Sequence, residues 1–286
     1  TDFAFKSSEL KILESSSVRS LDASSGNIVV ENSGTSIQTA GNNSAGLVAQ
    51  SVGGGGGFAG SQTGNGNWGR LGAGALDVVN DAEPSLTELD QYIFNSGDVS
   101  VTNKAKITTF GEVSPGIVAQ TIAGGGGFVG AMANGPLSLG MNGPGIANSG
   151  NVTVENTGDI LTHNRASSGL IAQSVGGGGG FASASNNTAL YMGSIFGTKS
   201  GTAGDIVVFN SGNIETNGKG SIALLAQSIG GGGGYNAFSS VDNNNIKTER
   251  NFLGSNTSTN TTAGDIELIN EGESIITRDE SSPGIL

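Results

Sequence analysis

Apolar and polar residues alternate in five short segments of the chain, and the segments align residue for residue. Two apolar columns stand two residues apart: Ile28, Val99, Val152, Ile206 and Ile266 form the first, and Val30, Val101, Val154, Val208 and Leu268 form the second. Successive side chains of a β-strand point to opposite faces, so residues two apart share a face. The pattern therefore predicts five equivalent strands, each with one face in a core.

Each of these strands ends at an asparagine, two residues beyond the second apolar column. The asparagines are Asn32, Asn103, Asn156, Asn210 and Asn270, and glycine follows two residues later in every copy but the second, which has Ala105. Both residue types tolerate left-handed backbone angles, and the asparagine amide can bond to the local main chain. We therefore expect a corner with a ladder of asparagines, followed by a short second strand such as Ile160–Thr162.

A longer apolar segment then runs into glycines in four copies, as in LVAQSVGGGGG from Leu47 to Gly57. Leu47 points to one face of this third strand and Val48 to the other, so both faces carry apolar side chains. A strand of this kind is usually covered on both sides. We expect the segments after the glycines, each of which opens with an aromatic residue, to cover the outer face; a neighbouring chain is the alternative.

The three strand motifs form a repeat that starts at Gly26, Gly97, Gly150, Gly204 and Gly264, with differences of 71, 53, 54 and 60 residues. Three short strands joined by corners predict an all-β fold, the coil of a parallel β-solenoid. The variable length lies after the glycines, which predicts long insertions there; one of them has capping-box spacing at Ser85 and Glu88 for a short helix. Whether a repeat makes one coil with an excursion or two coils stays open.

We divide the chain on this basis. It has a lead-in (1–25), four repeats (26–96, 97–149, 150–203 and 204–263) with insertions at 59–96, 129–149, 182–203 and 236–263, and a truncated fifth repeat (264–286).

Composition and charge exclude several classes of protein. The chain has 51 glycines, 5% aromatic residues and 13% charged residues, which suits a thin repeated core better than a broad globular one. Its net charge is -12, and its 12 lysines and arginines are not clustered, so we expect no nucleic-acid partner. There is no cysteine, and no apolar run long enough to be a transmembrane segment. We expect any export signal or anchor to lie outside this sequence.

The glycine runs and the glutamine column each allow two interpretations. A phosphate-binding loop needs Lys-Ser/Thr after the glycines, whereas an aromatic follows here, so we expect no cofactor and interpret the runs as a packing surface. The third strands carry Gln50, Gln120, Gln173 and Gln227. These amides either satisfy backbone groups, which we favour, or form an exposed recognition row.

The candidate metal ligands and the candidate catalytic residue of the sequence stand in no motif that metal binding or catalysis requires. Asp98, Asp205 and Asp265 recur at the start of the repeat, where Asn27 and Asn151 stand in the other copies. Such oxygens can hold Ca²⁺, but no calcium-loop motif is present, and we expect solvated turn residues. His163 is the only histidine. We expect no catalytic residue, no metal site and no enzyme activity.

Together these motifs resemble the passenger regions of large Gram-negative autotransporters of the type V secretion pathway. The resemblance covers Gly26 to Leu286 and lies in the alternation of GNIxVxNSGxIxT-like and SxGIxAQSIGGGGG-like segments. It implies a right-handed parallel β-helix at the bacterial cell surface or released outside the cell. It also implies a C-terminal outer-membrane β-barrel in the full-length protein. The unequal insertions, and Ala123 in place of a glycine, depart from the pattern.

The resulting expectation is a non-catalytic structural and adhesive stalk or fibre that acts in adhesion, aggregation or biofilm formation. Its partners are a host or neighbouring-cell surface, or other copies of itself. The alternatives are a glycan- or ligand-binding module formed by the insertions, and a self-assembling extracellular filament. The predicted interaction surface consists of the aromatic residues of the insertions: Phe58, Phe128, Phe181, Tyr235, Trp68, Tyr92 and Tyr191.

Overall fold

The computed structural model describes residues 21–59, 62–63, 69–71, 92–133, 137–140, 145–184, 190–193, 200–237, 252–253 and 260–286. All regular secondary structure within these ranges is β-strand. The strands form six parallel sheets, which we name A to F in the order in which the chain passes through them. The predicted helix at Ser85 to Glu88 lies outside the described residues.

Three sheets correspond to the strands predicted from the sequence. Sheet B contains Ile28–Asn32, Val99–Asn103, Val152–Asn156, Ile206–Asn210 and Ile266–Asn270. Sheet C contains Ser36–Thr39, Lys106–Thr109, Ile160–Thr162, Ile214–Thr216 and Ile275–Thr277. Sheet D contains Leu47–Gly53, Ile117–Ala123, Leu170–Val175 and Leu224–Ile229, with a final bridge from Leu224 to Ile285.

The other three sheets are built mostly from segments that the sequence indicated as insertions. Sheet E contains Gly56–Ala59, Gly126–Ala133, Gly179–Ala184 and Gly233–Asn236, and Gln62–Thr63 pairs with its second strand. Sheet F contains Gly69–Leu71, Leu137–Leu139, Leu190–Met192 and Phe252–Leu253. Sheet A contains Leu21–Ser24, Tyr92–Asn95, Ile146–Asn148, Ser200–Thr202 and Thr261–Thr262.

Each repeat makes one coil. In every sheet a strand pairs with the equivalent strands of the preceding and following repeats, so that Val99 lies opposite Ile28 on one side and Val152 on the other. If a repeat made two coils, its own strands would pair with each other. The prediction of an all-β parallel β-helix is confirmed. We number the coils 1 to 5 from the strand that begins at Leu21, the fifth coil ending at Leu286.

A first core fills the space between the inner faces of sheets B, C and D. Its buried side chains are the apolar columns predicted from the sequence, for example Val152, Ile160 and Leu170 in coil 3, each at most 1% exposed. The β-branched side chains suit this position because each one stacks on an equivalent side chain in the next coil.

A second core lies on the opposite side of sheet D, which therefore separates two compartments. Val118, Ile171 and Leu225 point from sheet D to the aromatic residues of sheet E. Smaller clusters continue it: Val129, Leu139, Ala182 and Met192 join sheets E and F, and Phe94, Ala123 and Ala147 lie where sheet A meets the end of sheet D. The predicted insertions thus contain strands, and in the described residues these strands close each coil from sheet D back to sheet B.

Candidate functional site

The glycine runs form a turn followed by the first residues of sheet E. Gly124 and Gly125 have φ of 83° and 82°, and the next two, Gly126 and Gly127, have φ of 126° and 135°. Side-chain-bearing residues rarely adopt these angles. A Cβ on Gly126 would lie 2.1 Å from the carbonyl oxygen of Gly179 in the next coil. Each run is therefore a place where glycine backbones of successive coils come into direct contact.

The aromatic residues directly after the glycines form a ladder along the coils. The ring centroids of Phe58 and Phe128 are 4.8 Å apart, as are those of Phe128 and Phe181, with rings within 3° of parallel. Tyr235 continues the ladder at 5.6 Å with a tilt of 36°. Burial raises the pKa of the Tyr235 phenol. The spacing equals that of neighbouring strands, so the backbone pairing sets the stacking distance.

This aromatic ladder covers the outer face of sheet D, as expected for a strand that is apolar on both sides. Phe128 and Phe181 are fully buried against Val118 and Ile171. The two phenylalanines therefore belong to the second core and form no part of a surface, which corrects their assignment as interaction residues. Phe58, at the end of the ladder in coil 1, is 38% exposed.

Removing an interior ring of the ladder should destabilise the fold much more than removing the end ring. Phe181→Ala leaves a cavity between two stacked rings, for which we expect a loss of about 3 to 5 kcal/mol in the free energy of unfolding. Phe58→Ala removes a half-exposed ring and should cost about 1 kcal/mol. Chemical denaturation followed by circular dichroism measures both. Equal effects would contradict the burial of Phe181.

The glutamines of sheet D form a second ladder inside the protein. Gln50 donates from Nε2 to Oε1 of Gln120 at 2.5 Å, and Gln120 donates to Gln173 in the same way at 2.5 Å. Gln173 donates to Gln227 at 2.8 Å and to the carbonyl oxygen of Gly180 at 3.3 Å. Gln120 and Gln173 are fully buried, so these amides satisfy each other first and the backbone second, and do not form an exposed row.

The five asparagines form a third ladder at the corner between sheets B and C. Asn32, Asn103, Asn156 and Asn210 each donate from Nδ2 to Oδ1 of the asparagine in the next coil, at 2.7 to 2.8 Å, and the last acceptor is Asn270. Nδ2 of Asn156 also donates to the carbonyl oxygen of Gly158, at 2.8 Å. The same amide thus fixes the corner and connects the coils.

The aspartates and asparagines at the start of sheet B form an exposed column. Oδ1 of Asn27 accepts a hydrogen bond from the backbone N–H of Asp98 at 2.8 Å, and the same contact recurs up to Asp265. Asparagine and aspartate are interchangeable there because only an oxygen acceptor is needed. In the described part of the chain, no three His, Cys, Asp or Glu side chains are grouped so that they can hold a metal ion.

Sheet C and the turn that follows it carry a stacked pair of rings and three ion pairs. The rings of Phe110 and His163 stack at 4.6 Å. Ion pairs join Glu112 to Arg165 at 3.1 Å, Lys219 to Glu280 at 2.9 Å and Glu215 to Arg278 at 2.7 Å. The hydrogen bond from Arg278 lowers the pKa of Glu215. Among the hydrogen bonds of the described residues, none joins the side chain of His163 to a nucleophile or to a carboxylate, as a catalytic arrangement would need.

Breaking the Glu215–Arg278 ion pair should clearly change the pKa of Glu215 but hardly change the stability of the fold. Because the pKa of Glu215 is depressed in the folded state, the pair stabilises the fold above the unfolded pKa, and this contribution is lost as the pH falls through the folded pKa. Arg278→Gln should raise the pKa of Glu215 in an NMR titration. The melting temperature should hardly move, since the pair is exposed to solvent. A large drop in melting temperature would contradict this assignment.

The remaining aromatic residues of the predicted surface do not share one location. Tyr92 begins the coil 2 strand of sheet A, and Tyr191 lies in the coil 3 strand of sheet F. Trp68 lies outside the described residues. Among the residues that the structure describes, there is no helix with the length and apolar character that a membrane span needs.

Comparisons with models of protein families, with curated proteins and with solved structures found no match to this chain. The site therefore has to be judged from its own geometry. The residues that the sequence marks most strongly, namely the glycines, aromatics, glutamines and asparagines, hold the coils together. Among the described residues, the outward faces of the sheets are available to a partner, and apart from the exposed Asn/Asp column at the start of sheet B their side chains vary from coil to coil.

Proposed function

We propose that this chain is a segment of a non-catalytic structural and adhesive stalk or fibre of an exported, autotransporter-like protein at the bacterial cell surface. The observation that carries the proposal is the continuity of the internal ladders. Gln50, Gln120, Gln173 and Gln227 are joined by hydrogen bonds from coil to coil, alongside the asparagine and aromatic ladders. Ladders of this kind oppose both bending and sliding of one coil on the next, as a stiff element requires.

The length that each repeat adds to the stack limits how such a stalk would work. Each repeat of 53 to 71 residues adds one coil, which lengthens the stack by only about 4.8 Å. A stalk of about 100 Å would need about 20 coils of this kind. Each coil adds a further row of outward side chains, and each row offers its own weak contacts. Adhesion then depends on many such contacts acting together.

Attachment to beads tests this proposal. The chain would be coupled to beads at a series of surface densities, and bead clumping and bead capture by bacterial cells would be counted. We expect both to rise more steeply than linearly with density, and the soluble chain to compete poorly. Saturable binding of the soluble chain at one affinity, independent of density, would instead support the glycan- or ligand-binding alternative. No clumping or capture at any density would contradict adhesion.

A further inference from the structure

Sheet B has an outward face that no described residue covers. Two columns of side chains point away from the first core: Val29, Ser100, Thr153, Val207 and Glu267, and Glu31, Thr102, Glu155, Phe209 and Ile269. Val29 is 70% exposed and Ile269 is 40% exposed. We call these two columns, together with Asn27, Asp98, Asn151, Asp205 and Asp265, the B face.

An apolar patch occupies one end of the B face. Phe209 and Ile269 are direct partners in the register of coils 4 and 5, and Val207 lies two residues before Phe209 on the same side of its strand. Phe209 and Val207 are half-buried and Ile269 is exposed. A phenylalanine and two aliphatic side chains therefore adjoin on an outward sheet face and offer apolar contact area to a partner.

The charges on the B face are all of one sign. The B face carries six carboxylates, at Glu31, Asp98, Glu155, Asp205, Asp265 and Glu267, and its five segments contain no lysine or arginine; the nearest basic residue in the sequence is Lys104, in the turn that follows sheet B. The ion pairs between described side chains involve other carboxylates, those of Glu112, Glu215 and Glu280. Like charges on neighbouring coils repel one another, so a cationic partner would relieve a repulsion as well as form contacts.

Two of these carboxylates are held in place. Oδ1 of Asp98 accepts the backbone N–H of Asn151 at 2.7 Å, and Oδ1 of Asp205 accepts that of Asp265 at 2.8 Å. The second oxygen of each carboxylate takes no part in these bonds. A fixed acceptor loses less conformational entropy on binding than a free side chain does.

We propose that the B face binds an extended, cationic protein segment in which lysine or arginine and apolar residues occupy every second position in turn. In an extended segment, every second side chain points to the same side at a spacing of about 6.5 to 7 Å, so both kinds of residue then face the sheet. Apolar residues would pack on Phe209, Ile269 and Val207, and cationic residues at the edges would meet the carboxylates. Nucleic acids and anionic membranes would be repelled, as would the same face of a second copy. This property goes beyond the proposed function and does not depend on it.

Fluorescence anisotropy with a labelled ten-residue peptide tests the proposal; lysine and valine take turns at its odd positions and serine occupies its even positions, so that lysine and valine share one face. The parent chain should bind it at low salt, bind less tightly as salt is added, and not bind the matching glutamate–valine peptide. The triple variant Asp98→Asn, Asp205→Asn, Asp265→Asn should bind about tenfold more weakly, as expected for three partly exposed charge pairs. Its fold should be unchanged, because Asn27 and Asn151 already hold equivalent positions in this ladder.

Two further variants separate the B face from overall charge. Asp22→Asn, Glu112→Gln, Asp279→Asn removes three charges that are not part of the B face and should weaken binding less than about threefold. Phe209→Ser changes no charge and should weaken it about three- to fivefold by loss of apolar contact. Melting curves establish that each variant is folded. Equal weakening by the two triple variants, no effect of Phe209→Ser, self-association of the parent in place of binding, or no binding by the parent would overturn the proposal.

Discussion

Gly180→Ala should destabilise the protein by more than about 4 kcal/mol, because it combines two separate costs. The backbone of Gly180 has a φ of 126°, which an alanine adopts only with strain, and the added methyl would lie 2.2 Å from the carbonyl oxygen of Gly127. The coils cannot move apart at this point without breaking the ladder hydrogen bonds on both sides. We expect a loss of soluble protein or a large fall in the denaturation midpoint.

Two other glycines separate these costs. Gly57 occupies the same column in coil 1, with a φ of 128°, but a Cβ there meets no atom within 4 Å. Gly57→Ala should therefore show the backbone strain alone, about 1 to 3 kcal/mol. Gly26 has neither the unusual angle nor a close neighbour. Gly26→Ala should change stability by less than about 0.5 kcal/mol. If Gly180→Ala cost no more than Gly57→Ala, the close approach of the coils would be disproved.

Gln173→Glu should produce a pH-dependent loss of stability that is large at neutral pH. The amide of Gln173 accepts from Gln120 and donates to Gln227 and to the carbonyl oxygen of Gly180. An ionised carboxylate in its place cannot donate, and it would face two oxygen acceptors in a fully buried position. We expect a loss of about 3 kcal/mol or more at pH 8.

The sign of the pH effect follows from the direction of the pKa shift. Burial and the facing acceptors raise the folded-state pKa of the new carboxyl above its unfolded value of about 4.3. The protonated form can donate one hydrogen bond, so the stability of the variant is greatest below the unfolded pKa and is lost as the pH rises through the folded pKa. Relative to the parent at each pH, the deficit should increase from pH 5 to pH 8.

The matched control for this substitution is Gln38→Glu. Gln38 lies on the outward side of sheet C and is exposed. The same chemical change there should leave the free energy of unfolding within about 0.5 kcal/mol of the parent across this range. Identical behaviour of the two variants would contradict a buried glutamine ladder.

The first core could be predicted from the sequence because its apolar residues recur at a regular spacing. Val152 and Val154 stand two apart, Asn156 ends the strand, and the same spacing recurs in all five copies. In a stack of parallel strands, each residue lies next to the equivalent residue of the neighbouring repeat. Aligning the repeats in the sequence therefore also gives the register of the sheets.

The second core was harder to predict for physical reasons. Its strands are short, as at Leu190–Met192, and those of sheet E begin with glycines whose φ angles do not belong to an ordinary strand. The connections between them differ in length from repeat to repeat, which breaks the alignment. A periodic pattern of side chains cannot reveal strands of this kind. The aromatic residue after each glycine run was the one signal that pointed to them.

The proposed B face was not predicted from the sequence for a related reason. Residues that recur, such as Phe128 and Gln173, recur because they contact their own copies, and both are buried. Most outward residues have no such constraint and vary from coil to coil; the exposed Asn/Asp column is the exception, because its oxygens bond to the next coil. Val29, Ser100 and Glu267 occupy one column and share no chemistry. In this solenoid, repetition therefore marks contacts between successive coils, and most of the outward surface has to be identified from the structure.

The number of coils per repeat is the central structural claim, and one distance measures it. The chain has no cysteine, so Val29→Cys and Glu267→Cys can each carry a nitroxide label on the outward face of sheet B. These positions lie in one column, four repeats apart. With one coil per repeat, pulsed electron paramagnetic resonance should give a distance of about 19 Å, four strand spacings. A distance near 38 Å would mean two coils per repeat and would contradict the account.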